Sequence, residues 1–396
     1  MAKGQKEQDV LPVERVLKTF AHEVPDVVAV HHIGFSSRAA SYVLGHEAYV
    51  GGGIQQWREA VSCWEGEEAH EKFIERTRRD AIELAEATQQ DIVRHEYWRM
   101  NVKPCKLIDK FTLMFGEPEG KWEVRHLDPE TELFQVVAQS PKGEENFEAL
   151  EDDVLGQEDS SRDFPTEANF EEVKAIVEQL GNNYAIRVGG GSIGIPLGSK
   201  IWLQAVIARP DIVSRLFEVQ AKIAIRDMGL LSKIGAKLIF GGGDIASSQG
   251  PFYSPKSFRE LMLPRLRRIV ESCHEYGMYY LFGSDGNLWP IADDLFGKSG
   301  VDGYFEIDRR AGMDLADLRR RYPSLTCIGN ISSYTLHRGR VEDVISETKS
   351  CIEEAQINKG IVVGVSNQIT SATPRENVCA MLETISRFKR ARGTSA

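Results

Sequence analysis

The chain is first bounded by what it lacks. No apolar run among its 396 residues approaches the roughly 20 that a helix needs to cross a bilayer, so no membrane partner is expected. The stretch Met1 to Asp9 is polar and has no signal-peptide core. Cysteine is sparse, six residues with no C-x-x-C pair, which in a chain this long reads as reduced thiols and a cytoplasmic protein. No His-Glu dipeptide continues as H-E-x-x-H, so a zincin is excluded. A basic excess is missing too. Lys+Arg 48 against Asp+Glu 59 gives a formal net charge of −11, which argues against a nucleic-acid partner.

That charge is local. Residues 144–173 hold 12 acidic side chains and one basic one, Arg162, which leaves 47 bases against 47 acids in the remainder. The body is neutral and the acid sits in one segment, expected to be a solvated loop.

Short valine-, isoleucine- and aromatic-rich runs alternate with long amphipathic ones. Strands are expected at Asp26–Gly34, Asp91–Trp98, Tyr184–Val188, Lys237–Phe240, Met278–Phe282, Gly303–Ile307, Leu325–Gly329 and Gly360–Val365. Helical patterns follow each, and Ser254-Pro255 and Thr373-Pro374 supply an N-cap with proline at the first helical position. Eight strand–helix pairs predict an α/β fold of the (β/α)8 TIM barrel kind rather than a doubly wound sheet. Phe111–Phe115, Trp122–His126 and Leu133–Ala138 break the alternation and read as a β-meander inserted after the second barrel strand. The expectation is one domain over 1–396, with 105–165 as an inserted meander and acidic loop at the active-site mouth.

Barrel chemistry sits at the C-terminal ends of the strands. Those ends carry His31 and His32, His95 and Glu96, Gly189–Ser192, Asp244, Asp285, Glu306, Asn330, and Ser366 with Asn367. Alternation lets only one member of each of the pairs His31-His32 and His95-Glu96 face inward. Asp285 in FGSDGN could be a turn aspartate. Glu306 within the apolar GYFEID needs a partner or a function, because a buried lone charge is costly. Gly189–Gly194 matches G-x-G-x-x-G formally, but no second strand ending in an acid follows about 20 residues on, so dinucleotide binding is rejected. Asn330-Ile331-Ser332 fits a glycosylation acceptor, which is irrelevant in a cytosolic chain.

Read together, GGGDIASSQGPFYSPKSFRELMLPRLRRIV, the SDGN of Ser284–Asn287, AGMDLADLRRRYPSLTCIGNIS and the TPRENV of Thr373–Val378 resemble the uroporphyrinogen decarboxylase superfamily. ERVLKTFAHEVPD resembles its start, and the resemblance runs from Glu14 to Phe388. It implies a single (β/α)8 barrel. True decarboxylases of the family carry an arginine-rich M-R-Q-A-G-R motif after strand one, where this chain has HHIGFSSRAAS with Arg38 as its one arginine. The family's catalytic aspartate after strand two corresponds to His95 or Glu96, and its histidine after strand eight to Ser366 or Asn367. The corrinoid-dependent methyltransferase branch binds zinc through His-x-Cys after strand five and a late cysteine. Here those places hold Gly283, Asp285 and Ser366 or Asn367, so the soft ligands are missing.

The resemblance therefore implies a methyltransferase that moves a methyl group from a small methylated, methoxylated compound to the cobalt of a corrinoid (cobalamin) on a partner protein. Asp285 and Glu306 would act as acid or, with His32, hold zinc or another divalent metal. His95 and Glu96 join them as catalytic candidates, and His32, Asp244, Asn330, Asn367 and Ser192 would bind substrate. A homodimer is the oligomer to be tested. The alternatives are a decarboxylase acting on a tetrapyrrole or smaller carboxylate, and a non-catalytic corrinoid-binding protein.

Overall fold

In the computed structural model, residues 10–94, 97–141, 145–160 and 165–393 are described. Eight parallel strands form one sheet: β1 (Ala29–Val30), β2 (Ile92–Val93), β3 (Ala185–Ser192), β4 (Leu238–Gly242), β5 (Tyr279–Gly283), β6 (Gly303–Phe305), β7 (Thr326–Ile328) and β8 (Ile361–Val363). They run in the order β1-β8-β7-β6-β5-β4-β3-β2, each pair parallel. This is the expected TIM barrel. Its seam between β1 and β2 is held by Asp91, whose N–H donates to Val30 O (2.8 Å) while its carboxylate accepts from Val30 N (2.8 Å). Arg15 and Lys389 pair with the same carboxylate, so two cations balance a buried charge.

Strand alternation sorts the core. Ala29, Ile92, Ala185, Leu238, Leu281 and Phe305 fill the barrel interior, plugged by Val16 and Phe20 of the helix Pro12–Phe20. Their neighbours Val30, Val93, Ile186, Ile239, Tyr280 and Tyr304 face the surrounding helices. The segment expected as one helix from Pro255 contains a π turn at Phe258–Met262 ahead of Leu263–Glu275. Pro264 has no N–H to give, and the widened turn accommodates it.

The insert after β2 is a four-stranded antiparallel sheet, Lys106–Asp109, Thr112–Gly116, Trp122–Asp128 and Leu133–Gln139. The pattern predicted three strands. Lys106–Asp109 is exposed at all of its positions and so shows no in–out alternation. Leu113, Phe115, Leu127 and Phe134 close a small core on Ala60 of the helix Gly53–Glu65. The carboxylate of Glu132, in the turn Asp128–Leu133, accepts from Ser37 N (2.8 Å) and Arg38 N (2.7 Å), at the start of the helix that follows β1. Ser371, after β8, donates to Glu130 O (3.0 Å). The insert thus docks on loops at the C-terminal rim, where an anion suits a helix N-terminus.

The acidic segment is not the solvated loop that its charge predicted. Phe147–Ser160 is a helix. Leu150 and Val154 are buried on one face of it, at i and i+4. Arg215 of the helix Pro210–Ile234 bonds Glu151 (3.2 Å) and Glu158 (2.9 Å), and Arg209 bonds Glu151 (3.2 Å). Basic partners from a distant part of the chain make the acids compatible with packing. Among the described residues no helix is long and apolar enough to cross a membrane.

Candidate active site

Three carboxylates from successive strands converge on the C-terminal rim. Asp244, Asp285 and Glu306 each offer an oxygen, and these atoms lie within 4.8 Å of one another. The local chain explains the convergence. Beneath Asp244, the Tyr280 hydroxyl donates to Gly191 O (2.6 Å) and accepts from Gly242 N (3.1 Å). A Cβ at Gly191 or Gly241 would strike the Tyr280 ring. The two glycine runs therefore make room for a tyrosine crossing between strands, and this is why they carry no dinucleotide signature. Asp285 follows Leu281 and Gly283 in the inward register. Glu306 would by alternation face outward with Tyr304, but its φ is +75°. A left-handed backbone is strained for a non-glycine residue, and here it re-aims the carboxyl to the rim.

Burial raises the Asp285 carboxyl to about 7, with the charges of Asp244 and Asp308 adding to the effect and a hydrogen bond from Asn367 opposing it. That bond runs from Asn367 Nδ2 to Asp285 Oδ2 at 2.5 Å. Glu306 is raised to about 8, first by burial, then by the charges of Asp285 and Asp244, with Arg187 and Arg94 opposing. The rim thus offers carboxyl groups that hold protons at neutral pH, which can serve as acids. The same oxygens form a hard donor set suited to a divalent cation. They do not resemble a zinc site built to activate a thiol.

The other expected residues divide. Asn367 is on the site, bonded to Asp285. Asp244 belongs to the carboxylate cluster itself, where His32 was expected as the third ligand. His32 is turned away: in the outward register of Val30, its Nδ1 accepts from Val365 N (3.3 Å) and its ring meets Phe35 edge-on at 5.5 Å. Burial lowers it to about 3. Its neighbour His31 is the inward one, shares the register of Ala29, and lies 5.9 Å from the Phe240 ring. His31 Nδ1 donates to Ile92 O (3.0 Å), which leaves Nε2 buried without a partner. Asn330 is buried beside β8, its N–H donating to Gly364 O (2.9 Å), and its amide atoms have no partner. Ser192 is exposed at the end of β3, opposite Gly242, outside the carboxylate group. Ser366 Oγ accepts from Ser333 N (3.2 Å). His95 and Glu96 lie outside the described residues.

Two arginines that the sequence reading passed over face this region. Arg94 and Arg187 both donate to Ile33 O, at 2.7 and 3.1 Å. Arg187 lies over the rings of Phe240 (4.6 Å) and Phe305 (5.1 Å), and Arg94 over Tyr97 (4.8 Å). Each shares register with an interior residue, Arg94 with Ile92 and Arg187 with Ala185. That parity was the available signal. Arg38, the arginine that the family comparison emphasised, instead pairs with Glu130 (3.2 Å) on the insert. A cavity of about 650 Å³ between the insert and the acidic helix contains none of the rim residues.

A parallel barrel with converging carboxyls at its C-terminal rim has the layout of a TIM-barrel enzyme. Residues 187–388 match the family described as Uroporphyrinogen decarboxylase (URO-D), and the chain belongs to that enzyme family. Among solved structures it is similar to a methyltransferase from Methanosarcina mazei, with a TM-score of 0.64 and 19% identity over 96% of this chain and 99% of that one. At that identity the likeness shows the shared fold. A D-psicose 3-epimerase from Clostridium cellulolyticum matches 63% of this chain and 94% of its own at 14% identity and a TM-score of 0.34. No curated protein sequence matches the chain.

Proposed function

We propose that the protein transfers a methyl group from a small methoxylated compound to the cobalt of a corrinoid carried by a separate protein. The observation that supports this most directly is the Asp285–Glu306 pair, whose carboxyls are raised to about 7 and about 8 at the barrel mouth. An alkoxide or phenoxide leaves poorly unless its oxygen is protonated or bound to a Lewis acid. When bound, the corrinoid supplies a strong cobalt nucleophile for the methyl carbon. The methyl C–O bond breaks as the methyl leaves, and the freed oxygen takes the proton held by Asp285 or Glu306. Asn367 fixes the Asp285 carboxyl, and Asp244 keeps its proton in place by repulsion. Alternatively Asp244, Asp285 and Glu306 would hold a divalent cation against the same oxygen. The chemistry of the donor set fits either role, and metal analysis of the purified protein chooses between them.

The test is an assay of a methoxy-compound panel with added cob(I)alamin. Demethylated product should appear with the wild type and vanish in Asp285→Asn, with circular dichroism unchanged. Carbon dioxide release without demethylation would replace this reading by the decarboxylase one. Tight corrinoid binding with no turnover would replace it by the carrier.

A further inference from the structure

Near the rim, β3, β4 and the end of β6 each pass through a left-handed residue: Gly191 at φ +67°, Gly242 at +89° and Glu306 at +75°. A tyrosine hydroxyl meets each of them. Tyr280 donates to Gly191 O and accepts from Gly242 N. The Tyr304 hydroxyl donates to Glu306 O (3.4 Å) and, on the neighbouring strand end, to Ser284 O (3.3 Å). At the first two places the residue is glycine, which takes this backbone readily. At the third it is a glutamate, for which the conformation is strained and persists only where the surroundings hold it.

The geometry shows what holds it. Phe282 pairs with Tyr304 and Gly283 with Phe305, which sets Ser284 beside Glu306. Tyr304 is fully buried with its ring 4.9 Å from that of Phe296, and its hydroxyl reaches past Phe305 to both carbonyls. Burial, and then the charges of Glu306 and Asp285, push its phenol well above the ordinary range, so it keeps its proton and stays a donor. Ser284 is fixed in turn, its Oγ donating to Asp285 O (2.9 Å) and accepting from Ile245 N (3.1 Å). The twist at Glu306 also shifts strand parity by one residue. Phe305 lies in the barrel interior and Ile307 in the helix-facing core, where plain alternation would put both on one side.

We propose that Tyr304 is a positioning residue: its hydroxyl, shared between Ser284 O and Glu306 O, keeps Glu306 left-handed and so brings its carboxyl to that of Asp285. The bond spans the two strand ends that carry the pair, so one hydroxyl sets the place of both. This role stands on the hydroxyl's contacts and the backbone. Only its bearing on methyl transfer rests on the function proposed above.

Tyr304→Phe keeps the ring and deletes the hydroxyl. In crystal structures of the full chain, Glu306 should be left-handed in the wild type and extended in Tyr304→Phe, with its carboxyl withdrawn from Asp285. Small misplacements of a reacting group can cost about 100-fold in rate, so kcat in the methoxy-compound assay should fall about 10- to 100-fold while KM stays within about twofold. Phe296→Leu loosens the packing of the same ring and leaves the hydroxyl in place. It should lower the urea midpoint and leave both the Glu306 conformation and kcat unchanged. If Tyr304→Phe does not fold by circular dichroism, adding Glu306→Gly should restore folding, because glycine needs no hydroxyl to adopt that backbone. A left-handed Glu306 in Tyr304→Phe, an extended one in the wild type, an equal loss of kcat in Phe296→Leu, or a double variant that stays unfolded would overturn the proposal. Withdrawal of Glu306 in Tyr304→Phe, without methyl transfer by the wild type, would uphold the positioning role and remove the transferase reading.

Discussion

Replacing Asp285 by Asn should make the protein more stable at alkaline pH while it abolishes turnover. The sign follows from the raised carboxyl. In the folded state Asp285 keeps its proton to about 7, against 3.8 in an ordinary setting. Between those values the native state binds the proton and the unfolded chain does not, so native stability falls as pH climbs and levels off above about 7. The interval from 3.8 to about 7, at about 1.4 kcal/mol per pH unit, sets a ceiling of about 4 kcal/mol. Asp285 is partly exposed, and solvent screening brings the expected figure to about 2 kcal/mol. Asparagine has the shape of the protonated acid and cannot ionise. It also removes the largest charged neighbour that raises Glu306. Urea unfolding followed by circular dichroism at about pH 5 and about pH 8.5 reads the difference. Near pH 5, where the unfolded chain is already ionised above 3.8, Asp285→Asn should lead by a little under ~1 kcal/mol, and at the higher pH by about 2 kcal/mol. Identical pH slopes in the two proteins, or a variant that is weaker at both values, would refute the placement of Asp285 in a buried, mutually repelling cluster.

Asn367→Ala removes the one hydrogen bond that lowers Asp285. The alkaline limb of the pH–rate profile should therefore move to higher pH, with turnover reduced about tenfold, as steady-state rates across pH would show. Leu150→Ala, in the acidic helix, should cost about 2–3 kcal/mol in urea unfolding. Arg215→Ala, which strips a part-exposed ion pair from the same helix, should cost about 1 kcal/mol or less. The reverse ranking would mean that charge rather than burial holds the helix. Asp91→Ala leaves Val30 N without its acceptor at the barrel seam and takes the buried carboxylate from Arg15 and Lys389, which keep only Asp26 and the oxygens of Val10 and Gln89. A loss of about 3–5 kcal/mol is expected, read as early thermal unfolding.

The barrel was legible because its strands are buried on both faces and read as short apolar runs between helices. DVVAVHHIG predicted a nine-residue strand, yet β1 pairs only at Ala29–Val30, with His31 N extending the ladder to Val363 O (2.9 Å). Beyond that the chain serves the rim. Hydrophobicity measures burial and does not report where hydrogen bonding stops. Composition misled in the acidic helix, because the arginines that neutralise it lie more than fifty residues away. Carboxylates at strand ends could be picked out by position, and Asp244, Asp285 and Glu306 do meet. The histidine choice required parity: Ala29 faces inward, hence His31 does and His32 does not. The same count from Ile92 and Ala185 gives Arg94 and Arg187. Glu306 escapes that count, since its left-handed φ breaks alternation. Nothing in GYFEID announces that twist except the improbability of an acid among apolar residues. The residues that follow the periodic rule were therefore recoverable by counting. The one that departs from it was recoverable only from the cost of leaving its charge unexplained.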